Sequence, residues 1–277
     1  MHLSYIRDVI RENNEIKILI QKAGIESTTF YIGAGIIQSL HLLTHLIAHK
    51  DKVLFLDHPE LHLHPHAQRR LATFVEEEKD RQTIIITHSP YFVDLNKDSN
   101  IIRFVQKGAQ TEIFEPPHDY FNFEDYFKLE QFLDINTKEL FFASKVLLVE
   151  GSTELGALPI FSLNMDYNFD ENGVSVINIG GKHNFVFFVK LCKGFAIPYF
   201  IIADEDAEKL LTNYESKLIL PSDFEGLLPD SLVEEARKIV GKSKPRIGRY
   251  VAKKMGEMGE IPNEVEQIIE SLKKLKT

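Results

Sequence analysis

Short, nearly continuous apolar runs that end in polar residues recur along the chain: Val53 to Leu56, Thr83 to Ile86, Ile101 to Val105, Val146 to Val149, Ser175 to Ile179 and Tyr199 to Ile202. Runs of this kind, without a period of two, predict strands covered on both faces. Between them the period changes. In Gly35 to His49 the residues Ile36, Leu40, Leu43 and Ile47 fall on one helical face, and Ala67 to Asp80 reads as a second helix ending in a charged, solvated turn. Strands alternating with helices predict an α/β protein.

The stretch from Glu115 to Phe142 breaks this alternation. It opens on Pro116-Pro117-His118-Asp119 and then carries Phe and Asp residues without a clean period, which predicts a connector between two α/β units. The expected division is therefore residues 1–115, a connector over 116–143, and a second unit over 144–277. After Asp206 no further strand is expected. The last stretch reads as helical, with turns at Pro221, Pro245 and Pro262.

Composition narrows the class. The 277 residues are 44% apolar and 26% charged, which supports a real core and excludes disordered and fibrous classes. No apolar run reaches the roughly 18 residues that span a bilayer, and the start MHLSYIRDVI has no apolar signal core. A lone cysteine, Cys192, forms no internal disulfide, and a reducing cytoplasm is the expected compartment. The net charge of −9 argues against coating nucleic acid by uniform basicity, but leaves room for a local basic patch or for carboxylates that hold divalent cations.

In the first unit, Val53-Leu54-Phe55-Leu56-Asp57-His58-Pro59-Glu60-Leu61-His62-Leu63-His64-Pro65 is followed by Thr83-Ile84-Ile85-Ile86-Thr87-His88-Ser89-Pro90. An acidic residue at the tip of a buried strand can hold the water shell of a magnesium ion, and a histidine at the next tip can contact a terminal phosphate. These residues resemble the Walker B, D-loop and switch-histidine run of ABC-type ATPases of the RecF and SMC kind. Upstream, Ile32-Gly33-Ala34-Gly35-Ile36-Ile37-Gln38 sits where that group carries its signature motif; there the glycines let backbone N–H groups approach a phosphate held by a partner subunit. The resemblance implies a nucleotide-site role for Gly33, Gly35, Asp57, His58, Glu60 and His88, vestigial or shared.

Two departures stand out. The chain has no G-x-x-x-x-G-K-[ST] loop, so ATP is expected only with a partner that supplies that Walker A segment. The residue after Asp57, where the family places the glutamate that polarises water, is His58, and Glu60 is expected to point elsewhere along an extended segment. ATP hydrolysis by this chain alone is therefore not expected. Eight of the eleven histidines lie between His41 and His88, which raises a zinc site as an alternative; no cysteine lies near, and the motif already accounts for His62 and His64. His41, His45 and His49, at i, i+4 spacing, read as a solvated or interfacial helix face.

In the second unit, Val146-Leu147-Leu148-Val149-Glu150-Gly151-Ser152-Thr153-Glu154 is a buried strand, a glutamate, a tight turn and a helix start that Ser152 or Thr153 can cap. Phe200-Ile201-Ile202-Ala203-Asp204-Glu205-Asp206 repeats the layout. In a parallel sheet both tips share one edge, and carboxylates gathered there repel one another unless a divalent cation sits among them. Metal binding is thus a physical expectation from the residues alone.

VEGSTE followed by DED resembles a Toprim domain, the metal-dependent catalytic module of topoisomerases, primases and certain nucleases. Together with the Phe141 to Gly151 run and Ile179-Gly180-Gly181-Lys182, and placed after an ABC-type half, it resembles the OLD family, which joins an N-terminal ATPase to a C-terminal Toprim nuclease. The fold implied is α/β: a partial ABC-type ATPase unit, then a Toprim Rossmann-like parallel-sheet domain with a helical C-terminal extension. The resemblance makes Glu150 a metal ligand or general acid/base and Glu154, Asp204 and Asp206 metal ligands. Asp223 and Glu225 of Asp223-Phe224-Glu225-Gly226 would complete a second site, giving a two-metal Mg²⁺ or Mn²⁺ centre.

Between Arg237 and Lys254 stand eight basic residues and no acidic one. OLD-like nucleases place a catalytic lysine here; Lys244 is favoured, with Lys253 as alternative. Lys182, Arg246, Arg249 and Lys254 are candidate DNA contacts, against the alternative of a merely solvated helix. The reading is a metal-dependent DNA endonuclease of OLD type, acting in phage defence or DNA metabolism, assembling as a homo-oligomer, with a separate ATPase or defence chain as a further partner and no membrane. The alternative is a non-catalytic regulatory or assembly subunit of an ATPase–nuclease complex. A Toprim used for primer synthesis or strand passage is a third reading, against which stand the absence of zinc-binding cysteines and of a nucleophilic tyrosine context other than Tyr250.

Overall fold

The computed structural model describes residues 6–12, 15–22, 25–28, 34–48, 53–96 and 99–275. The chain forms two compact units that part after Asp94. In the first, β1 (Ile6–Glu12), β2 (Glu15–Lys22) and β3 (Ile25–Thr28) make an antiparallel meander. They are followed by α1 (Ala34–Ala48), β4 (Leu54–Asp57), α2 (Pro65–Glu77) and β5 (Thr83–Ile86). β4 and β5 pair in parallel, with Leu54 opposite Thr83 and Asp57 opposite Ile86, so the tips of both strands lie side by side. Leu42, Leu56, Leu63 and Leu71 form the small core beneath them.

The expectation of strands covered on both faces fails in this unit. Phe55, Ile84 and Ile86 are exposed while Leu56 is buried. β4 and β5 are an isolated pair among the described residues, so only one face has a helix layer to press against. The run Ile101–Val105 departs in the same way. It contributes to β6 (Arg103–Lys107), which pairs with β7 (Gln110–Phe114) in an antiparallel hairpin around Gly108, leaving Phe104 and its partner Ile113 exposed.

This hairpin belongs to the second unit. The Arg103 guanidinium donates to the carbonyl oxygens of Phe141, Ala143, Phe195 and Ala196 at 2.8–3.3 Å. It thereby straps β6 beneath β8 (Lys145–Val149) and β10 (Tyr199–Asp204). These two strands are central in a four-stranded parallel sheet completed by β9 (Val174–Asn178) and β11 (Lys217–Leu220), in the order β11-β10-β8-β9. β11 was not expected: at four residues it is too short to stand out from its neighbours in sequence.

All five residues of β8 are buried, as a strand covered on both faces requires. The helices are α3 (Phe123–Phe132), α4 (Ser152–Asn164), α5 (Phe185–Gly194), α6 (Asp230–Val240), α7 (Lys244–Met258) and α8 (Asn263–Lys274). Pro245 does not make a turn as expected but lies in the first turn of α7, where its missing N–H costs nothing. The main core joins Leu147, Val149 and Ile202 to Ala157 and Phe161 of α4, Val251 of α7 and Ile268 of α8. The chain passes from β8 through α4 to β9 on one side, then returns through α5 to β10 on the other, so the crevice at the tips of β8 and β10 is a topological switch point.

Candidate active site

The switch point carries acids on both tips. Glu150 follows β8 directly and accepts a hydrogen bond from the Asp204 amide, 3.2 Å away at the tip of β10. Glu154, one turn into α4, reaches back to the Gly151 amide at 3.3 Å and is 5% exposed. This reach-back replaces the expected Ser152 or Thr153 cap. The Ser152 hydroxyl instead accepts from Asn178 Nδ2 at 3.0 Å, and the Thr153 hydroxyl donates to Glu225 Oε1 at 2.9 Å.

Two lysines enter the cluster. The Lys182 ammonium pairs with Asp206, and Lys244 Nζ lies 2.9 Å from Glu225 Oε1, with an Arg237 guanidinium nitrogen 3.9 Å from the other Glu225 oxygen. Lys244 reaches this place because α4 and α7 touch backbone to backbone. A Cβ on Gly156 would stand 1.9 Å from the Pro245 carbonyl oxygen, and one on Gly248 would stand 2.3 Å from the Thr153 carbonyl oxygen. Only glycine permits that approach, and it sets the start of α7 over the start of α4. Asp223 caps the turn after β11, its Oδ1 accepting from the Gly226 amide at 2.9 Å.

The electrostatics follow from this crowding. Burial, and then the charges of Asp204 and Asp206, raise the pKa of Glu150 against the Asp204 amide that lowers it. Burial pushes Glu154 up to about 7. Asp204 is raised by burial and by Asp223 and Asp206. Glu225 moves the other way: the hydrogen bond from Lys244 holds it below its ordinary value, and Lys244 is raised in return.

Carboxylate oxygens are the hard donors that Mg²⁺ and Mn²⁺ prefer. Among the described residues no three of His, Cys, Asp and Glu stand close enough to hold one ion as they lie. Lys182 draws Asp206 aside and Lys244 draws Glu225, while Glu150, Glu154 and Asp204 keep raised pKa values that a divalent charge would relieve. In donor chemistry and in unmet charge the residues fit a divalent cation.

Of the two lysine alternatives, Lys244 stands at the carboxylates; Lys253 lies nine residues on along α7, roughly 14 Å by helical rise. Arg246 and Arg249 are exposed on the same helix, and Lys254 is paired with Glu257 at 3.3 Å. Lys182, expected as a DNA contact, is engaged with Asp206. Sequence reasoning missed Asn178 and Arg237, and assigned Thr153 only a cap. No local signal marks them, because Asn178 reaches the cluster from the tip of β9, Thr153 from the start of α4 and Arg237 from α6.

In the first unit Asp57 stands exposed at the tip of β4, with His58 Nε2 3.8 Å from its Oδ1. Glu60 is not on an extended segment as expected. Residues 58–63 turn twice, through Leu61 N to His58 O at 3.1 Å and Leu63 N to Glu60 O at 3.0 Å. Glu60 therefore faces the tip of β5, accepting from the Thr87 hydroxyl at 2.8 Å and the His88 amide at 2.9 Å, with His58 Nδ1 at 3.3 Å. The His58 and His88 rings stack with centroids 5.1 Å apart. Gly35 lies so close to this turn that a Cβ on it would be 2.3 Å from the His62 carbonyl oxygen. Gly33, the other signature glycine, lies outside the described residues.

A parallel sheet with acids at a switch point, a helix opening on Gly-Ser-Thr-Glu and D-x-D on the next tip define the second unit as a Toprim domain. Residues 141–206 match the family model of the Overcoming lysogenization defect protein-like TOPRIM domain, and residues 29–94 match that of an AAA domain (AbiEii toxin, Type IV TA system). In both parts and in their order the chain is similar to proteins of the OLD family. It is 31% identical over 193 residues to the OLD nuclease of Thermus scotoductus, covering 66% of this chain and 35% of that protein. Endonuclease GajA of Bacillus cereus is 23% identical over 234 residues, covering 71% and 34%. The C-terminal region of the Xanthomonas campestris pv. campestris OLD protein superposes with a TM-score of 0.41 at 18% identity, covering 48% of this chain and 96% of that one. The chain thus spans about a third of the length of the curated relatives it matches.

Proposed function

We propose that this chain is a divalent-metal-dependent DNA endonuclease of OLD type. The observation that carries the reading is the meeting of Glu150, Glu154 and Asp204, all with raised pKa values, at the β8–β10 switch point with Lys244 beside them. A relative described as a nuclease and another described as an endonuclease support it.

Glu150, Glu154, Asp204 and Asp206 would hold Mg²⁺ or Mn²⁺, with Asp223 and Glu225 offering donors to a second ion. When bound, such ions supply an activated water and charge for the leaving oxygen of an in-line attack on phosphorus. Glu150 serves as ligand or as general acid/base, its pKa lifted toward the range such a group needs. Lys244, with its side chain 64% exposed, presents its ammonium to the phosphate once it leaves Glu225. Arg246 and Arg249 hold the flanking backbone, with Lys182 and Lys254 joining when DNA competes with their carboxylate partners.

The functional division we favour is an ATPase part within 1–115, a connector over 116–143 and the nuclease domain over 144–277, with the β6–β7 hairpin at the end of the first range packing in the second unit. The chain acts as a homo-oligomer in the cytoplasm, in phage defence or DNA metabolism. ATP enters only with a partner that supplies the Walker A loop to Gly33, Gly35, Asp57 and His88, because this chain has none. No helix among the described residues is long and apolar enough to cross a membrane.

A plasmid nicking assay in Mg²⁺, Mn²⁺ and Ca²⁺, with and without ATP, tests the reading. Nicking that disappears in Glu150→Ala and Asp204→Ala is the expected result, and cleavage retained in both would overturn it. The pairing of Asp206 with Lys182 and of Glu225 with Lys244 favours one rival, a non-catalytic assembly subunit whose acids are neutralised internally. Absence of cleavage of every DNA form in every metal would decide for that rival.

A further inference from the structure

Beside the carboxylate edge, α3 and the loop after β9 enclose an open groove of about 370 Å³ lined by Phe123, Phe127, Phe132, Lys128, Gln131 and Asn184, with Glu124 at its rim. Its volume lies within the roughly 300–1,000 Å³ of small-ligand sites. Phe127 is 55% exposed and Phe123 74% exposed, an unusual outlay of aromatic surface on one helix. Phe132 forms the anchored wall, its ring edge-on to Phe188 of α5 at 6.4 Å.

The same short loop touches both the groove and the acids. Gly180 lies against Phe132, Asn184 lines the groove, and Lys182 between them holds Asp206. The groove and the acids are thus neighbours across one loop of residues 180–184. The lining joins aromatic faces to two side-chain amides, one ammonium and, at the rim, one carboxylate. That combination suits a planar heteroaromatic ring with a polar edge and a nearby phosphate more than it suits a purely apolar helix.

We infer that this groove receives an unpaired nucleobase of the DNA strand lying on the carboxylate edge, stacked on Phe127. A base inside a duplex has no free face to offer, so the groove makes the nuclease prefer DNA with unpaired bases near the cleaved bond, as in a flap, a gap or a melted end. The inference rests on the nuclease reading above for its choice of DNA as occupant.

The test uses the full chain in Ca²⁺ buffer, with fluorescence anisotropy of labelled oligothymidylate and of a hairpin duplex. Phe127→Ala should weaken binding of the single strand about fivefold or more and leave the duplex unchanged, while Phe127→Trp retains the single strand. The proposal is overturned if wild type binds no single strand, if Phe127→Ala binds it as wild type does, or if both DNA forms weaken alike. A changed mass in light scattering with unaltered single-strand affinity would also overturn it, by assigning the groove to contact between copies of the chain. Failure of the nuclease reading looks different: wild type and Glu150→Ala then both leave plasmid intact, while the Phe127 effect on single-strand binding persists.

Discussion

Gly156 of α4 and Pro245 of α7 meet so closely that a Cβ on the glycine would stand 1.9 Å from the proline carbonyl oxygen. The contact is backbone against backbone, so no side chain can swing aside to admit a methyl group. Gly156→Ala must push the helices apart and carry Lys244 away from Glu225. Overpacking of this kind costs about 3 kcal/mol, which lowers the melting temperature by roughly 6–12 °C in a unit of this size. Thermal melts followed by circular dichroism check the first effect. If nicking in the folded variant matches wild type, the α4–α7 crossing does not position Lys244 for the reaction.

Lys244→Met removes the cation that holds Glu225 down, so two effects should appear together. The Glu225 carboxyl titrates closer to its ordinary value, because its largest stabilising partner is gone. Nicking falls about a hundredfold or more, the usual loss when one preorganised charge is withdrawn from a transition state. Lys253→Met, two and a half turns along α7, should leave the rate within a few-fold of wild type. Single-turnover rates on supercoiled plasmid separate the two lysines, and equal losses in both would remove Lys244 from its assigned place.

Raised carboxylates make the second unit's stability depend on pH in a definite direction. Glu154 rises from an ordinary 4.5 to about 7 in the folded state, so between those values the folded chain binds the proton that the unfolded chain has lost. Stability then decreases as pH rises through this window, by on the order of 3 kcal/mol from Glu154 alone, with Glu150 and Asp204 adding in the same sense. Mg²⁺ should reverse the loss at pH 8 and do less at pH 5, where Glu154 already carries its proton. Urea melts in EDTA and in Mg²⁺ across this range measure it; an equal Mg²⁺ effect at both pH values would separate cation binding from these acids.

The features legible in the sequence are those written in consecutive residues. Val146 to Val149 is uniformly apolar and folds as a fully buried strand, and the acid after it lands at the switch point because strand tips in a parallel sheet share an edge. Pairings that depend on the distance between elements stayed hidden. Thr153 meets Glu225 across 72 residues, and Lys182 meets Asp206 across 24, each through a loop whose path no local period encodes. In the first unit the apolar runs predicted two covered faces, yet a pair of strands with one helix layer covers only one. The turn at Glu60 was missed because a non-glycine residue opens it in the left-handed region, His58 at φ 45°.

That turn carries a prediction of its own. Burial alone would raise the Glu60 pKa, but the His88 amide and the Thr87 and His58 side chains together bring it below its ordinary value. A depressed carboxylate stabilises the fold above its unfolded pKa and loses that contribution as pH falls through its folded pKa. Glu60→Ala leaves the Thr87 hydroxyl and His88 amide without their acceptor and should cost the first unit about 1–2 kcal/mol at neutral pH, and much less in acid below the lowered pKa. Hydrogen exchange reads this at one site: the His88 amide, protected by Glu60 at 2.9 Å, should exchange faster in the variant at pH 7, with the amides of Lys145 to Val149 unchanged. Equal acceleration in both segments would mean that Glu60 supports the chain as a whole, and unchanged His88 exchange would mean that the carboxylate does not hold the tips of β4 and β5 together.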